Sequence, residues 1–231
     1  MEHILSEGLG NSSLVLPNGV VCDRCNNGPL SKLDQSLCDF LPLKARAVML
    51  GIAGKSGKVP TLKFVNGTMS NEDGNHINFH HTEPRAFEEL SRTATGQVEF
   101  NLNVKGGRRL TARYAAELSS ALLKIALELA WLDHGERMLG EEFDHVRNAV
   151  FGKARHGYFA IAKRGDGTEH GTTVSYFLPP DNPGRIAVIG SLLGHGVGTD
   201  SQRSSPVTPF DPDDALCIEF GPSDFKSKRV A

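Results

Sequence analysis

The chain has 231 residues and a mass of 25.0 kDa, enough for one large domain or two modest ones. Hydrophobic residues make up 39% and charged residues 23% of the sequence, which excludes wholesale disorder, a collagen and a coiled coil. The formal net charge is −2, so the charge of the whole chain does not indicate a nucleic-acid-binding protein, and any basic surface must be local.

Two features of the sequence predict a cytoplasmic protein without a membrane partner. The first seven residues lack the basic start and apolar core of a secretory signal. The longest apolar stretch without charge, residues 186–199, contains four glycines and has only 14 residues, which is too short to cross a bilayer.

In a reducing compartment, the C-x-x-C spacing of Cys22 and Cys25 indicates metal or redox chemistry rather than a disulfide. The sequence does not indicate the oligomeric state.

The first fifty residues predict a hairpin, a cysteine pair and two short helices. Short apolar runs on both sides of Pro17-Asn18-Gly19 predict a β-hairpin over residues 11–22. Leucines at spacings of three and four, from Leu30 to Leu41, predict an amphipathic helix with Ser31 near its start. A second helix is expected over residues 43–50, followed by glycine-rich turns.

The rest of the chain predicts one long helix, one short helix and several strands. The long helix covers residues 111–134, carries one leucine-rich stripe and ends at Gly135 as its C-cap. Residues 141–151 predict another helix, and residues 191–214, rich in glycine, serine and proline, predict a long exposed loop. Strands are expected over residues 61–65, 76–80, 97–104, 158–162, 172–178, 185–189 and 215–220. This order predicts an α+β fold with an antiparallel sheet.

Residues suited to phosphodiester hydrolysis lie near the N-terminus. The reaction requires a base that deprotonates water and a divalent cation that neutralises the leaving oxygen. His3 can be the base, while Glu2 and Asn26 offer hard oxygen ligands for the cation. Asn18 and the stretch Cys22-Asp23-Arg24-Cys25-Asn26-Asn27 complete a set that few other arrangements require together.

On these residues the sequence resembles the HNH endonuclease family, over roughly residues 2–40. The ββα-metal motif of that family has an acidic residue and a His on its first strand, an Asn near the hairpin, and a His or Asn at the start of the helix. Glu2-His3, Asn18 and Asn26 match these positions. The resemblance implies that His3 activates water, that Glu2 and Asn26 hold one cation, commonly Mg²⁺, and that Asn18 braces the loop around His3.

The resemblance also implies a structural zinc. Family members with a cysteine knuckle bind Zn²⁺ through two C-x-x-C pairs, and Cys22 and Cys25 resemble the second pair. The first pair should lie upstream of Glu2, so we expect a nuclease shortened at its N-terminus with an incomplete zinc site and well under one zinc per chain. Cys38 and Cys217 are predicted to be core thiols.

The domain and function predictions follow from the resemblance. It implies an HNH ββα-metal module over residues 1–42, incomplete at its N-terminus, and an accessory α+β region over residues 43–231. The expected activity is metal-dependent hydrolysis of phosphodiester bonds in DNA. The alternative is a non-catalytic nucleic-acid-binding or interaction module that retains a degenerate HNH fold. A thiol redox role for the cysteine pair is a third alternative, without the sequence context of a thioredoxin-like fold.

Although the net charge of the chain is near zero, three stretches contain basic residues and no acidic ones. These basic runs cover residues 40–71, 100–116 and 145–165. Each run is either a solvated face or part of a common surface that follows a phosphate backbone. We expect the second run to contact nucleic acid because it joins a predicted strand to the long helix. Its basic residues are Lys105, Arg108, Arg109 and Arg113.

Overall fold

The structure, a computed structural model, describes residues 2–64, 67–74, 76–81, 91–92, 98–99, 111–154, 160–162, 172–202 and 226–229. The helices are α1 (Asp23–Cys25), α2 (Ser31–Cys38), α3 (Leu41–Met49), α4 (Ala112–His134) and α5 (Asp144–Val150). The π-helical segment Asn26–Leu30 joins α1 to α2, and 3₁₀ turns cover Glu7–Leu9, Gly135–Leu139 and Glu141–Phe143.

The strands form small antiparallel sheets. They are β1 (Glu2–His3), β2 (Val15–Leu16), β3 (Leu62–Phe64), β4 (Gly67–Ser70), β5 (Asn78–His81), β6 (Ser91–Arg92), β7 (Val98–Glu99), β8 (Ala160–Ala162), β9 (Thr173–Phe177), β10 (Ala187–Leu192), β11 (His195–Asp200) and β12 (Lys226–Arg229). β1 pairs with β2, β3 to β5 pair in sequence, β6 pairs with β7, and a five-stranded sheet has the order β12-β9-β10-β11-β8. The fold is therefore α+β, as predicted.

The long helix α4 is confirmed and forms the centre of the core. Thr111 caps its N-terminus by accepting a hydrogen bond from the backbone N–H of Tyr114 at 3.2 Å, and Gly135 follows its last residue with φ 56°. Its leucine stripe is buried, with Leu118 at 0% and Leu122 at 1% exposure. Because α2 packs on one part of α4 and the five-stranded sheet on another, both faces of the helix are covered.

The hydrophobic core does not divide at residue 42. One cluster of buried side chains contains Leu9 and Leu37 from the predicted N-terminal module together with Leu118 of α4 and Val188 of the sheet. A smaller cluster lies between α3 and the β3–β5 sheet. Buried residues on both sides of residue 42 therefore share one cluster, and the division into 1–42 and 43–231 stays a prediction.

The predicted hairpin over residues 11–22 is wrong. β2 pairs with β1, with Glu2 opposite Leu16 and His3 opposite Val15, whereas residues 17–20 form a turn that leads into the cap of α1. Burial explains this pairing, because Leu16 of β2 is buried in the core while Val20, beyond the turn, is only partly buried.

The predicted loop 191–214 is wrong in its first part. β10 and β11 form a tight hairpin through Leu193 and Gly194, which have φ of 52° and 84°, as a two-residue turn between twisted strands requires. The glycines that suggested a loop permit close strand packing. A Cβ on Gly198 would lie 3.2 Å from the carbonyl oxygen of Val188 on the neighbouring strand. Residues 203–214, the predicted strand 215–220 and Cys217 lie outside the described residues.

None of the described helices combines the length and the hydrophobicity needed to cross a bilayer.

Candidate active site

A β-hairpin followed by a helix positions the predicted catalytic residues. Glu2 and His3 lie on β1, and successive side chains of a strand point to opposite faces. Glu2 is therefore buried, at 6% exposure, whereas the His3 side chain keeps 28% of its surface exposed. Asn26 opens the π-helical segment, where Pro29 lacks a backbone N–H and so disfavours regular α-helical bonding.

Glu2, His3 and Asn26 line one cavity of about 370 Å³. The structure thus brings together three of the four residues predicted for the hydrolytic reaction. The fourth, Asn18, is exposed in the turn after β2 and does not line this cavity. The cavity also carries further charged side chains, which are Glu7, Asp34, Asp39, Lys44, Lys55 and Lys58.

Glu7 orients the His3 ring. Its Oε1 atom lies 3.1 Å from Nε2 of His3, which stands four residues earlier in the chain. A carboxylate accepts hydrogen bonds, so this contact assigns the proton of a neutral ring to Nε2 and the lone pair to Nδ1. The Nδ1 atom is buried and has no hydrogen-bond partner among the described residues. An imidazole held in this way by a carboxylate is suited to accept a proton.

A buried ion cluster lies beneath the cavity, around the ammonium group of Lys124. This lysine of α4 is 1% exposed, and its Nζ atom lies 2.7 Å from Glu2, 3.1 Å from Asp34 and 3.3 Å from Glu128. Burial raises the pKa of Asp34 to about 6 and the pKa of Glu128 well above its ordinary value. Burial acts to lower the pKa of Lys124, but the charges of Glu128, Asp34 and Glu2 outweigh it and the net shift is upward.

Asn11, which sequence reasoning missed, braces the loop that follows His3. Its buried amide nitrogen donates to the carbonyl oxygens of Leu5 at 2.6 Å and Leu14 at 2.9 Å. Its Oδ1 atom accepts from the backbone N–H groups of Leu14 and Ser13. The structure therefore gives to Asn11 the bracing contacts that the resemblance implies for Asn18. The sequence signal for this role is an Asn that stands between glycine- and serine-containing turns.

Two oxygen donors of the kind that magnesium prefers line the cavity. Mg²⁺ is commonly bound by one or two carboxylates, keeps several waters and prefers oxygen ligands. Glu2 offers a carboxylate and Asn26 an amide oxygen on the same cavity. Glu2 remains part of the cavity lining although its Oε1 atom is paired with Lys124.

The cysteine pair does not fit a complete structural zinc site. Cys22 is the exposed N-cap of α1, and its Sγ accepts from the backbone N–H of Cys25 at 3.3 Å. Tetrahedral zinc requires four ligands. In the part of the chain that the structure describes, no group of three or more His, Cys, Asp or Glu residues is placed to hold a metal. Cys38 instead donates to Oγ of Ser6 at 3.3 Å.

The basic residues at the cavity come from a different run than the one expected to contact nucleic acid. Lys105, Arg108 and Arg109 lie outside the described residues, and Arg113 is 79% exposed and paired with Glu117 at 3.4 Å. Lys44, Lys55 and Lys58, all from the first run, line the cavity. Lys44 pairs with Asp39 at 3.2 Å, while Lys55 and Lys58 are exposed in the loop after α3.

Comparisons of this chain with protein-family models, with curated proteins and with solved structures found no match.

Proposed function

We propose that this protein is a metal-dependent endonuclease of the HNH type, which hydrolyses phosphodiester bonds in DNA with His3 as general base. One observation carries the proposal. Glu2 and His3 on a strand and Asn26 on the following helix line a single cavity, in the order hairpin then helix. This is the set of groups that activates water and binds one hard cation.

Each residue of the site has its own role in the proposed reaction. The Nε2–H group of His3 is held by Glu7, so the ring accepts the proton of the attacking water at Nδ1. Because Nδ1 is buried in the described arrangement, the ring must turn toward the cavity to reach that water. The carboxylate of Glu7 then stabilises the imidazolium. Glu2 and Asn26 would hold Mg²⁺, which supplies positive charge to the leaving oxygen when bound.

The lysines at the cavity support a polyanionic substrate. Lys55 and Lys58 extend from the loop after α3 into solvent at the cavity rim, where they can follow a phosphate backbone without reading bases. Lys44 neutralises Asp39, one of the acidic groups that would otherwise repel a phosphate. The choice of DNA over RNA rests on the family resemblance.

A plasmid-nicking assay tests the proposal. We expect the protein to nick supercoiled DNA with Mg²⁺ but not with EDTA, and His3→Ala to be slower by a factor of about 10² to 10⁴. His76→Ala is the matched control, because His76 is 76% exposed and does not line the cavity. It should cleave at the wild-type rate.

One observation favours the non-catalytic alternative, namely that the Glu2 carboxylate already has a cationic partner in Lys124. The same assay separates the two functions. If the protein binds DNA in a salt-dependent manner but cleaves with neither Mg²⁺ nor Mn²⁺, the non-catalytic module is the correct interpretation. If it neither binds nor cleaves DNA, both are wrong.

A further inference from the structure

Lys124 is a charged residue in the middle of an apolar helix. The residues next to it on α4, Leu123 and Ile125, are fully buried, and the lysine itself is 1% exposed. Moving an ammonium group from water into a protein interior costs several kcal/mol, and a hydrophobic residue of similar volume is often as stable or more stable there. The position of Lys124 therefore calls for an explanation other than core packing.

The contacts of Lys124 converge on the strand that carries the candidate catalytic pair. Its Nζ atom donates to the carbonyl oxygen of His3 at 3.0 Å and to that of Ile4 at 3.4 Å. The same atom lies 2.7 Å from Oε1 of Glu2. One ammonium group thus fixes both the backbone on either side of the His3–Ile4 peptide and the carboxylate of the preceding residue.

The remaining partners of Lys124 lie on helices. Asp34 of α2 accepts from it with both carboxylate oxygens, at 3.1 and 3.3 Å, and also lines the cavity. Glu128 lies one turn further along α4 at 3.3 Å and does not line the cavity. Lys124 therefore connects β1, α2 and α4, the three elements around the base of the site, with a single charge.

We propose that Lys124 is a positioning residue, which holds the Glu2 carboxylate and the His3 backbone in the orientation that cation binding and water activation require. This inference rests on the proposed function. Lys124 contacts no reacting atom and acts through Glu2 and His3. Without its charge, the three carboxylates repel one another and Glu2 loses the contact that fixes Oε1.

Magnesium affinity distinguishes positioning from simple competition. If Lys124 orients Glu2 for the cation, Lys124→Met should raise the Mg²⁺ concentration for half-maximal cleavage by about tenfold or more, the usual effect of removing an outer partner of a metal ligand. If Lys124 only competes with the cation for Glu2, loss of its positive charge should lower that concentration. Calorimetric titration of the intact variant with Mg²⁺ alone, without DNA, gives the same comparison without relying on cleavage.

Glu128→Gln is the matched control, because it removes a Lys124 contact that involves neither β1 nor the cavity. We expect its Mg²⁺ dependence to stay within about threefold of wild type. Thermal unfolding and circular dichroism establish that each variant is folded. If Lys124→Met does not fold, the double variant Lys124→Met/Glu128→Leu replaces it in the experiment. The double variant lacks one of the carboxylates that the loss of Lys124 leaves without a cationic partner.

The outcomes separate this inference from the proposed function. A wild-type protein without cleavage and without Mg²⁺ binding overturns both. A wild-type protein that cleaves, together with a folded Lys124 variant of unchanged or lower Mg²⁺ requirement, overturns only the positioning role. Failure of both Lys124 variants to fold also overturns it, because Lys124 would then be a residue of structural importance alone.

Discussion

The hydroxyl group of Tyr114 donates a hydrogen bond to the backbone carbonyl oxygen of Ser36 at 3.0 Å, joining the first turn of α4 to α2. We expect Tyr114→Phe to lower the free energy of unfolding by about 1 kcal/mol, since the ring stays packed but the carbonyl loses its partner. Chemical denaturation measures this change. In Ser36→Ala the carbonyl remains and only a side-chain bond to the Lys32 carbonyl is lost, so an equal effect there would contradict the explanation.

Two asparagines give a matched test of the loop after His3. Asn11 is 2% exposed and makes four hydrogen bonds within the loop, whereas Asn18 is exposed in a turn. We expect Asn11→Ala to lower the free energy of unfolding by about 2 to 4 kcal/mol and to reduce DNA cleavage. Asn18→Ala should stay within about 0.5 kcal/mol of wild type. If urea unfolding showed a larger loss of stability for Asn18→Ala than for Asn11→Ala, Asn18 would be the residue that braces the loop.

Two glycines differ in the space around them. A methyl group on Gly190 would meet the carbonyl oxygen of Thr173 on the neighbouring strand, which cannot move without disturbing the sheet. Gly190→Ala should therefore destabilise the protein by about 1 to 3 kcal/mol. Apart from its chain neighbours and the backbone of its own helix, no described heavy atom lies within 4 Å of the Cβ position on Gly28, so Gly28→Ala should be neutral or slightly stabilising. Melting temperatures of both variants check the comparison, and similar losses would contradict it.

The raised pKa of Asp34 predicts a loss of stability with rising pH. Burial raises this pKa to about 6 from an ordinary value of 3.8, so the folded protein binds the proton more tightly than the unfolded chain. The free energy of unfolding should therefore fall between pH 4 and pH 6, by about 3 kcal/mol from this group, and then level off.

Asp34→Asn cannot titrate and should lose this part of the slope, as measured by urea unfolding at successive pH values. Ser36→Ala keeps every carboxyl group in place and is expected to retain the wild-type slope. Parallel curves for wild type and Asp34→Asn over this range would show that Asp34 does not titrate as described.

The cysteines should react in a fixed order. Hydrogen bonds from the side chain and backbone of Cys25 lower the pKa of the exposed Cys22 thiol, while the bond to Cys22 and burial raise the pKa of Cys25. Burial raises the pKa of Cys38. At pH 7 we expect iodoacetamide to label Cys22 first and Cys38 last among these three, with the denatured chain as control. If Cys22 and Cys25 were both protected from labelling by iodoacetamide, and if EDTA removed that protection, the result would instead indicate a bound metal.

The sequence predicted the elements whose signals are local. The leucine stripe of α4 needs no distant partner to be recognised, and the side-chain chemistry of Glu2, His3 and Asn26 is visible in the sequence without the cavity that they line. The β1–β2 pairing was missed because the Pro17-Asn18-Gly19 turn is a stronger local signal than two-residue strands separated by a loop. The strand that pairs with β2 depends on which apolar residues are buried in the core.

The missed parts of the site depend on contacts between distant segments. Lys124 looks like any polar position on a helix until α2 and β1 are placed beside it. Glu7 lies four residues after His3, but a 3₁₀ turn is needed to bring the two side chains together. Neither spacing nor composition carries this information.

The distance along the chain between Lys124 and β1 has a consequence for synthesis. Residues 2–4 leave the ribosome well before the group that anchors them, which belongs to a helix made more than a hundred residues later. The hairpin and the cysteine pair must therefore wait without this anchor until α4 has emerged, and their final arrangement depends on slow long-range closure. A nascent chain halted before α4 would carry all the predicted catalytic residues and still lack the assembled site.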